Sequence, residues 1–442
     1  MSTTDTIFAL ATPLAKSGVA IIRISGNQAL PALQRLTGRT NWQPNLATYV
    51  AFSRIKNHEP RTTIDSGLAL FFAAPKSFTG EDTAELHLHG SIAVIRETLT
   101  VLSEMPGLRP AERGEFTRRA FLNGKMDLLE AEGLADLIDA ETTLQKSQSL
   151  RQMAGGMSRY YEGLRTRILA SLAHLEAYID FPDEDIPETV LGNLKGDVKA
   201  IEATIGAVLA DGKRGERLRE GFSIIILGAP NAGKSSLLNT LAGRDAAIVS
   251  HRAGTTRDMI EVHMDIGGFP VVLVDTAGLR ETTDDIEEEG VKRAMDRAAT
   301  SDLTLIVFDA SQPMDEASRG LINDNSLIII NKIDLSSASI NRVEGLAIST
   351  KTGQGIDNLL TAIEQKISVS FGHTDAPLIT RNRHRALLSQ ALSQLQSIAW
   401  QEPLEISCEK LRQAASAIGK ITGKITADEI LGVIFSEFCI GK

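Results

Sequence analysis

The eight-residue segment Gly228-Ala229-Pro230-Asn231-Ala232-Gly233-Lys234-Ser235 constrains this chain more than any other. It matches the pattern G-x-x-x-x-G-K-S/T and lies between the apolar run FSIIILG and the helix-forming run KSSLLNTLAG. A glycine-rich loop between a buried strand and a helix directs backbone N–H groups and the helix N-terminus at an anion. We therefore expect a phosphate-binding loop, with Lys234 on the phosphates and the Ser235 hydroxyl on Mg²⁺.

Four further segments follow in the order that a nucleotide site of this type requires. Residues 254–258 (GTTRD) form a loop in which the Thr256 hydroxyl can complete the Mg²⁺ coordination. Asp275-Thr276-Ala277-Gly278 follows a strand, so that Asp275 can stand in the second Mg²⁺ shell and the Gly278 N–H can meet the γ-phosphate.

The last two segments concern the base. Asn331-Lys332-Ile333-Asp334 ends another apolar strand, and Ser349-Thr350-Lys351 ends the next. A carboxylate at Asp334 can accept both the ring N–H and the exocyclic amine of guanine, whereas adenine offers no such donor pair. The sequence therefore predicts binding of GTP and GDP rather than ATP.

The residues predicted to bind the nucleotide come from these five segments and the loop that starts at Ser250. They are Asn231, Ala232, Gly233, Lys234, Ser235, Ser236, Ser250, His251, Arg252, Ala253, Gly254, Thr255, Thr256, Asp275, Thr276, Ala277, Gly278, Asn331, Lys332, Asp334, Ser349, Thr350 and Lys351.

The residues alone leave the hydrolysis step open. Ras-type GTPases place a water-orienting glutamine after the Asp-Thr-Ala-Gly element, but Leu279 stands at that position here. The following segment, 280–290, is strongly acidic. It is either a solvated loop that enters a helix or the source of a replacement catalytic group.

Bulk properties indicate an ordinary protein of several domains. The chain has 442 residues, a net charge of −10 and two cysteines, Cys408 and Cys439. An acidic chain does not present a largely basic surface to nucleic acid, so an RNA partner requires a local basic patch.

Two cysteines make no disulfide framework, and no apolar run is long enough for a membrane span or a signal peptide. We expect a cytoplasmic protein.

The pattern of secondary-structure signals changes three times along the chain. Residues 1–117 contain short β-like runs and are expected to form an α+β domain. Residues 118–214 and 370–442 have helical periodicity and are expected to form one discontinuous all-α domain. Residues 215–369 alternate strand and helix signals, with a hairpin turned at Gly267-Gly268. The predicted fold is therefore multidomain, with a Ras-like P-loop α/β GTPase domain inserted into the helical domain.

The whole chain resembles the MnmE (TrmE) family of GTPases, which act in modification of the tRNA wobble uridine. The resemblance rests on residues 11–26, on FTGEDTAELHLHG (78–90), on RPAERGEFTRRAFLNGKMDLLEAEGLADLIDA (109–140), and on the terminal Cys-Ile-Gly-Lys at 439–442. It implies a GTP hydrolase that uses a potassium ion beside the phosphates, where the ion takes the place of an arginine finger.

The resemblance also assigns roles within the GTPase domain. Asn231 matches the potassium-ligating asparagine, and the loop 250–256 matches the segment that wraps the ion, which adds Ser250, Arg252 and Thr255 as K⁺ ligands. Glu287 aligns with the water-orienting glutamate and becomes the candidate catalytic residue, within the acidic segment that the residues alone left open.

The resemblance implies a second site in the N-terminal domain, which binds a 5-formyl- or 5,10-methylene-tetrahydrofolate cofactor and holds a homodimer. Arg23, Glu85, Lys125 and Lys442 match the folate-contacting positions. Cys439 is either a small buried hydrophobe or a functional thiol near the folate. The FAD-containing partner MnmG (GidA) is expected to form a heterotetramer with the dimer and to supply the flavin, since no dinucleotide fingerprint is present here.

The implied function is the addition of an aminomethyl or carboxymethylaminomethyl group to C5 of the tRNA wobble uridine, with the one-carbon unit taken from folate. Two alternatives share the nucleotide motifs: a ribosome-assembly GTPase with an unrelated N-terminal module, and a non-catalytic scaffold that binds GTP and folate. The basic cluster Arg381, Arg383, His384 and Arg385 at a helix start is either a solvated helix end or a contact for tRNA or a partner.

Overall fold

The computed structural model describes residues 5–54, 61–180, 188–211, 213–244, 247–248, 260–275, 300–335, 344–372, 379–401, 403–425, 428–436 and 438–441. The chain divides into two compact units. The first comprises Met1–Ala135 and Gly419–Lys442, and the second comprises Asp136–Ile418.

Thirteen strands are present in the described residues: β1 Thr6–Leu10, β2 Ser17–Ser25, β3 Thr48–Arg54, β4 Thr62–Phe72, β5 Thr83–Gly90, β6 Leu108–Pro110, β7 Phe222–Leu227, β8 Ala247–Ile248, β9 Ile260–Ile266, β10 Phe269–Asp275, β11 Leu303–Asp309, β12 Ser326–Asn331 and β13 Leu346–Ala347. The helices described are α1 Ala29–Thr37, α2 Ile92–Ser103, α3 Glu115–Leu122, α4 Leu128–Ile138, α5 Thr143–Met153, α6 Gly156–Asp180, α7 Glu188–Leu209, α8 Arg214–Glu220, α9 Lys234–Ala242, α10 Glu316–Arg319, α11 Ile356–Phe371, α12 Asn382–Gln396, α13 Leu404–Thr422 and α14 Asp428–Ser436, with a 3₁₀ turn at Ile333–Leu335.

The first unit is built on a six-stranded sheet in the order β3-β4-β5-β2-β1-β6. Alternate residues of its central strands, such as Ile22, Ile24, Leu86 and Leu88, are buried against α1 and α2. Because side chains alternate across a strand, the residues between them, including Arg23 and Glu85, lie on the opposite face. The α+β prediction for the N-terminal region is confirmed.

A network of five charged side chains surrounds the buried Arg119 in the first unit. The Arg119 guanidinium is 2% exposed and donates hydrogen bonds to Asp5, Glu81 and Glu115 at 3.0–3.3 Å. Arg109 also donates to Asp5 and Glu115. Buried charges persist only when paired, so each member depends on the others. Four of the five come from residues 78–90 and 109–140, the two long segments on which the family resemblance rests. These two segments therefore have a structural role.

The second unit combines a helical layer with a sheet. Within the helical layer, α6 and α7 pack together, and α12 packs on α7. In α7 the buried residues Leu194, Val198, Ile201 and Ile205 recur every three or four positions. This is the apolar stripe that helical packing requires.

The seven-stranded sheet of the second unit has the order β13-β12-β11-β7-β10-β9-β8. The described strands run in one direction except β9, which is antiparallel to both β10 and β8. Gly267 and Gly268 join β9 to β10 with φ values of 62° and 88°, as a two-residue type I′ hairpin demands. The predicted α/β sheet and its hairpin are therefore confirmed.

The multidomain fold class is confirmed, while the boundaries proposed for the three domains remain predictions. In the described part of the chain, no helix is long and apolar enough to cross a membrane. The same residues contain no group of three or more His, Cys, Asp or Glu side chains arranged to hold a metal ion.

The ionic network predicts a pH-dependent stability for the first unit. Burial raises the pKa of Glu115, but hydrogen bonds from Arg109, the Glu112 backbone and Arg119 outweigh it and leave the pKa below its ordinary value of 4.5. The carboxylate therefore stabilises the fold at neutral pH, and its contribution is lost as the pH falls through that lowered pKa. We expect Glu115→Gln to lower the unfolding free energy by about 2 kcal/mol at neutral pH.

The measurement is urea unfolding followed by Trp42, which is buried in the first unit, in a Trp400→Phe background that removes the other tryptophan. Exposed Glu112→Gln is the matched control. The difference between wild type and Glu115→Gln should shrink as the pH falls below 4.5. A difference that stays constant through this range would contradict the role given to the carboxylate.

Candidate functional site: a guanine-nucleotide site and an N-terminal ionic site

The phosphate loop connects β7 to α9, as the sequence predicts. The loop turns through left-handed backbone at Asn231 (φ 61°) and at Gly233 (φ 98°), which is the N-cap of α9. A Cβ on Gly228 would lie 2.2 Å from the carbonyl oxygen of Val307 in β11, so no other residue fits there. The glycines thus let the loop lie tightly against the strand ends.

Lys234 and Ser235 open α9. Lys234 is buried, and its Nζ donates to the carbonyls of Gly228 and Ala229, both at 2.9 Å, which places the ammonium across the loop. The side chains of Ser235 and Ser236 are exposed in the first helical turn. A positive group and a helix N-terminus at one loop make an anion site, and an exposed hydroxyl beside them can bind Mg²⁺.

Asn331, at the end of β12, joins the phosphate loop to the base-recognition segments. Its side chain is fully buried. Nδ2 donates to the Ala232 carbonyl at 3.0 Å, and Oδ1 accepts from the Thr350 N–H at 3.1 Å. A Cβ on Gly233 would come within 2.2 Å of Nδ2. One amide therefore sets the distance between two loops that are far apart in sequence.

Lys332 makes a second connection to the phosphate loop. Its Nζ donates to the Asn231 carbonyl and to Asp309 Oδ2, both at 2.6 Å. Asp309 also accepts from the backbone and hydroxyl of Ser311. Burial raises the pKa of Asp309, but the bonds from Lys332 and Ser311 outweigh it and lower the pKa below its usual value. Asp309 therefore stays ionised and holds Lys332.

The sequence analysis did not single out Asp309. A signal was present, because the carboxylate ends the apolar run LTLIVFD of β11. In parallel sheets, ligands bind at the carboxyl ends of the strands. A charged residue at the end of the strand next to β7 therefore falls at the nucleotide site.

Asp334 is exposed, and the buried Ser349 hydroxyl donates to its Oδ1 at 2.6 Å. This bond joins the two base segments, and Ser349 Oγ also accepts from the Thr352 N–H within its own turn. The carboxylate is thus oriented at the surface next to exposed Lys351. The predicted residues at 331–334 and 349–351 are brought together with the phosphate loop.

Several predicted residues of this site lie outside the described residues. They are Ser250, His251, Arg252, Ala253, Gly254, Thr255, Thr256, Thr276, Ala277, Gly278 and Glu287. For Asp275 the backbone is described as the last residue of β10, and the side chain is not.

A second constellation lies on the β2–β5 pair of the first unit. Arg23 and Glu85 are directly opposite in register, and the guanidinium donates to Glu85 Oε1 from Nε at 3.0 Å and from Nη2 at 2.8 Å. His87 Nε2 lies 3.4 Å from Glu85 Oε2. The guanidinium also stands over the rings of Phe78 and Phe116 at 5.4 and 5.8 Å. A charged pair bordered by aromatic rings suits a ligand with a flat polar ring.

The other predicted folate positions lie around the same unit. Lys125 Nζ donates to the Pro75 carbonyl, in the β4–β5 loop that also carries Phe78. The C-terminal turn packs on the end of β1, where a Cβ on Gly441 would meet the Leu10 carbonyl at 2.2 Å. Cys439 in this turn is exposed, so its interpretation as a small buried hydrophobe is wrong. Lys442 lies outside the described residues.

The basic cluster at the start of α12 is not a solvated helix end. Arg381 is 8% exposed and bonds Asp136 at 2.8 Å, and His384 is fully buried. Arg385 pairs with Glu216 of α8 at 2.7 Å. Of the two interpretations of this cluster, the solvated helix end is wrong, because sequence spacing does not show the carboxylates that other helices bring to the arginines; the contact with tRNA or a partner stays a prediction.

Two family models match nearly the whole chain. The model of the MnmE helical domain matches residues 128–439, and the model of the GTP-binding protein TrmE N-terminus matches residues 6–125. A match to the second model is not expected of a ribosome-assembly GTPase with an unrelated N-terminal module.

Curated relatives match over their full length. The tRNA modification GTPases MnmE of Paramagnetospirillum magneticum and Parvibaculum lavamentivorans are 49% and 48% identical to this chain, over 99% of it and 100% of each relative. The protein of the same name from Rhodospirillum rubrum is 48% identical, over 100% of both chains. Aquifex aeolicus Era bound to GDP·AlF₄⁻ is 24% identical over 40% of this chain and 67% of that one, with a TM-score of 0.27, too low to carry an argument.

Relatives 48–49% identical over their full length and two family models that together match nearly the whole chain agree. The chain belongs to the MnmE family of tRNA modification GTPases.

Proposed function

We propose that this chain is a potassium-activated GTPase that acts with a flavoprotein partner on the tRNA wobble uridine. As a family member it is a GTP hydrolase of tRNA modification. The reaction adds an aminomethyl or carboxymethylaminomethyl group to C5 of the uridine, with a one-carbon unit from tetrahydrofolate. The observation that carries the proposal is the guanine-nucleotide site, together with the ionic site of the first unit, in one chain.

The phosphate loop supports the metal assignments. Ser235 presents an exposed hydroxyl for Mg²⁺, which Thr256 would complete. Lys332 donates a hydrogen bond to the Asn231 carbonyl and so fixes the backbone at this residue. The Asn231 side chain is exposed, and its amide oxygen can therefore face a cation beside the phosphates. Ser250, Arg252 and Thr255 would complete the potassium site. A potassium ion there supplies positive charge for the transition state, and Glu287 orients the attacking water.

The β2–β5 pair supports the folate assignment. Glu85 can accept from the donor edge of a pterin, while Arg23 and Lys125 can bind carboxylates of the glutamate tail. Lys442 belongs to the same proposed site. The exposed thiol of Cys439 is proposed to act there in the modification reaction, and the flavin comes from the MnmG partner.

The proposed assembly is a homodimer that is held by the first unit and completed to a heterotetramer by the flavoprotein, with tRNA as substrate. The proposed location is the cytoplasm, since modification requires the tRNA pool. Pairing of the GTPase domains across the dimer would connect GTP turnover with modification.

The potassium proposal predicts a cation-specific rate. We expect GTP hydrolysis to be at least about tenfold faster in potassium than in sodium at equal ionic strength, because the ion neutralises charge that develops in the transition state. Glu287→Ala should lower the potassium rate by about 100-fold, since the water loses its orienting group. Phosphate release is measured in both salts.

Glu289→Ala, from the same acidic segment, is the control and should keep the wild-type rate. Equal rates in the two salts would rule out the potassium role, and an active Glu287→Ala variant would rule out the glutamate. A protein that binds GTP and never turns it over in either salt would be the scaffold instead.

The base contact predicts a change of nucleotide preference. Asp334→Asn replaces the carboxylate that accepts both guanine donors, so GDP affinity should fall at least about 100-fold. The xanthine nucleotide, which carries an oxygen where guanine has its amine, should bind the variant better than the wild type. Displacement of a fluorescent nucleotide measures both affinities.

Asp315→Asn is the control, because that carboxylate caps α10 through the Ser318 N–H at 2.8 Å, away from the base segments. If Asp334→Asn bound GDP as tightly as the control, Asp334 would not be the guanine acceptor.

The ionic site predicts a separate loss of folate binding. Arg23→Gln should weaken binding of 5-formyltetrahydrofolate about tenfold or more, because a charged hydrogen-bonding partner is lost. GTP hydrolysis should be unchanged. Isothermal calorimetry on the full chain measures the affinity. Arg54→Gln, which removes a more exposed ion pair with Glu104, is the control. Equal folate affinity in the two variants would exclude Arg23 from the site.

A further inference from the structure

Helices α5 and α6 carry an unusual charge balance. The two helices, residues 143–180, contain the five cations Lys146, Arg151, Arg159, Arg165 and Arg167 and the three acids Glu162, Glu176 and Asp180. The segment therefore has a net charge of +2 in a chain whose total is −10. An acidic protein that acts on RNA needs such a local patch.

The three acids leave most of the cations unneutralised. Glu176 pairs with Arg412 at 2.8 Å, outside this segment, and Asp180 is the last residue of α6. Glu162 pairs with Arg165 at 3.2 Å, and this pair is half-buried on one side of α6. The other four cations, Lys146, Arg151, Arg159 and Arg167, are exposed. We call these four residues the basic face.

The basic face has an extended form. The Arg159 guanidinium donates to the Ala154 carbonyl at 2.9 Å, which holds it at the turn between α5 and α6 and near the end of α5 that carries Arg151. Arg167 follows eight residues later, about 12 Å along the helix axis. That length corresponds to roughly three or four phosphates of one strand of a duplex.

The side chains around these cations on α6 are mostly small. The exposed residues of α6 that share this side are Gly163, Thr166, Ala170, Ala173, His174 and Ala177, and the exposed acid Asp180 lies at the far end of the helix. Small side chains allow a ligand backbone to come close to the helix. In residues 143–180, all of them described, Leu150 is the one exposed large apolar side chain. Protein–protein interfaces require a larger apolar centre.

One aromatic ring stands among the cations. Tyr160 is half-buried and lies seven residues before Arg167, on the same line of the helix. Burial raises the pKa of its phenol, and the charge of Arg167 acts in the opposite direction. Tyrosine rings stack on unpaired bases, whereas arginines bind phosphates.

We infer that the basic face binds the phosphate backbone of the RNA substrate and that Tyr160 contacts a base beside it. The inference rests on the proposed function only in taking tRNA as the substrate. It concerns neither the nucleotide site nor the folate site, so these arginines have no part in GTP hydrolysis.

The test compares two triple variants of equal charge change. Arg151→Gln/Arg159→Gln/Arg167→Gln removes the basic face. Arg96→Gln/Arg319→Gln/Lys366→Gln removes three exposed cations from other helices. Binding of fluorescently labelled tRNA to the full-length protein is measured across a salt series.

The basic-face variant should bind at least about tenfold more weakly near 0.1 M salt, and its salt slope should fall by about two, because three phosphate contacts are lost. The control variant should bind as the wild type does. GTP hydrolysis and thermal unfolding should be unchanged in both. A third variant, with lysine at the three arginine positions, keeps the charge and should keep most of the affinity.

Equal affinities and equal salt slopes for the two glutamine variants would overturn the inference. So would loss of binding in the lysine variant, which would indicate a structural role for the arginines. A variant that keeps tRNA and loses the flavoprotein partner would assign the face to a protein and overturn it as well. A wild-type protein that binds no tRNA would contradict the proposed function itself.

Discussion

The buried amide of Asn331 is the interaction on which the nucleotide site depends. It donates to the phosphate loop at Ala232 and accepts from Thr350 in the base-recognition segment. An amide is suited to this position because it offers a donor and an acceptor on one rigid plane, without the desolvation cost of a charge. The phosphate loop and the base-recognition segment are thereby joined through a single side chain.

The strand order explains why this bridge is possible. β12, β11 and β7 are neighbours and run parallel, so their carboxyl ends deliver Asn331, Asp309 and the phosphate loop to one edge. Lys332 connects all three through its bonds to Asp309 and Asn231. α8, which precedes β7, joins the same sheet to the helical layer through Glu216 and Arg385.

The first unit is stabilised in another way. The segments 78–90 and 109–140 supply Glu81, Arg109, Glu115 and Arg119, whose charges pair in one network around the buried Arg119. This network holds α3 and the loop that carries Phe78. Arg23 and Glu85, on the neighbouring strands, remain half-exposed beside that loop. The buried network thus shapes the surroundings of the ionic site.

Local patterns were enough to predict the phosphate loop, the Gly267-Gly268 hairpin and the α/β and helical regions, because loop chemistry and periodicity act over a few residues. They did not reveal Asp309, the Arg119 network or the burial of His384, since each depends on partners distant in sequence. The cluster at 381–385 shows this difference: its spacing allowed either a solvated helix end or a contact for tRNA or a partner, while folding placed Asp136 and Glu216 against Arg381 and Arg385. Residue types limit which chemistry is possible, and long-range packing selects which charges are neutralised, because burial makes every unpaired charge costly.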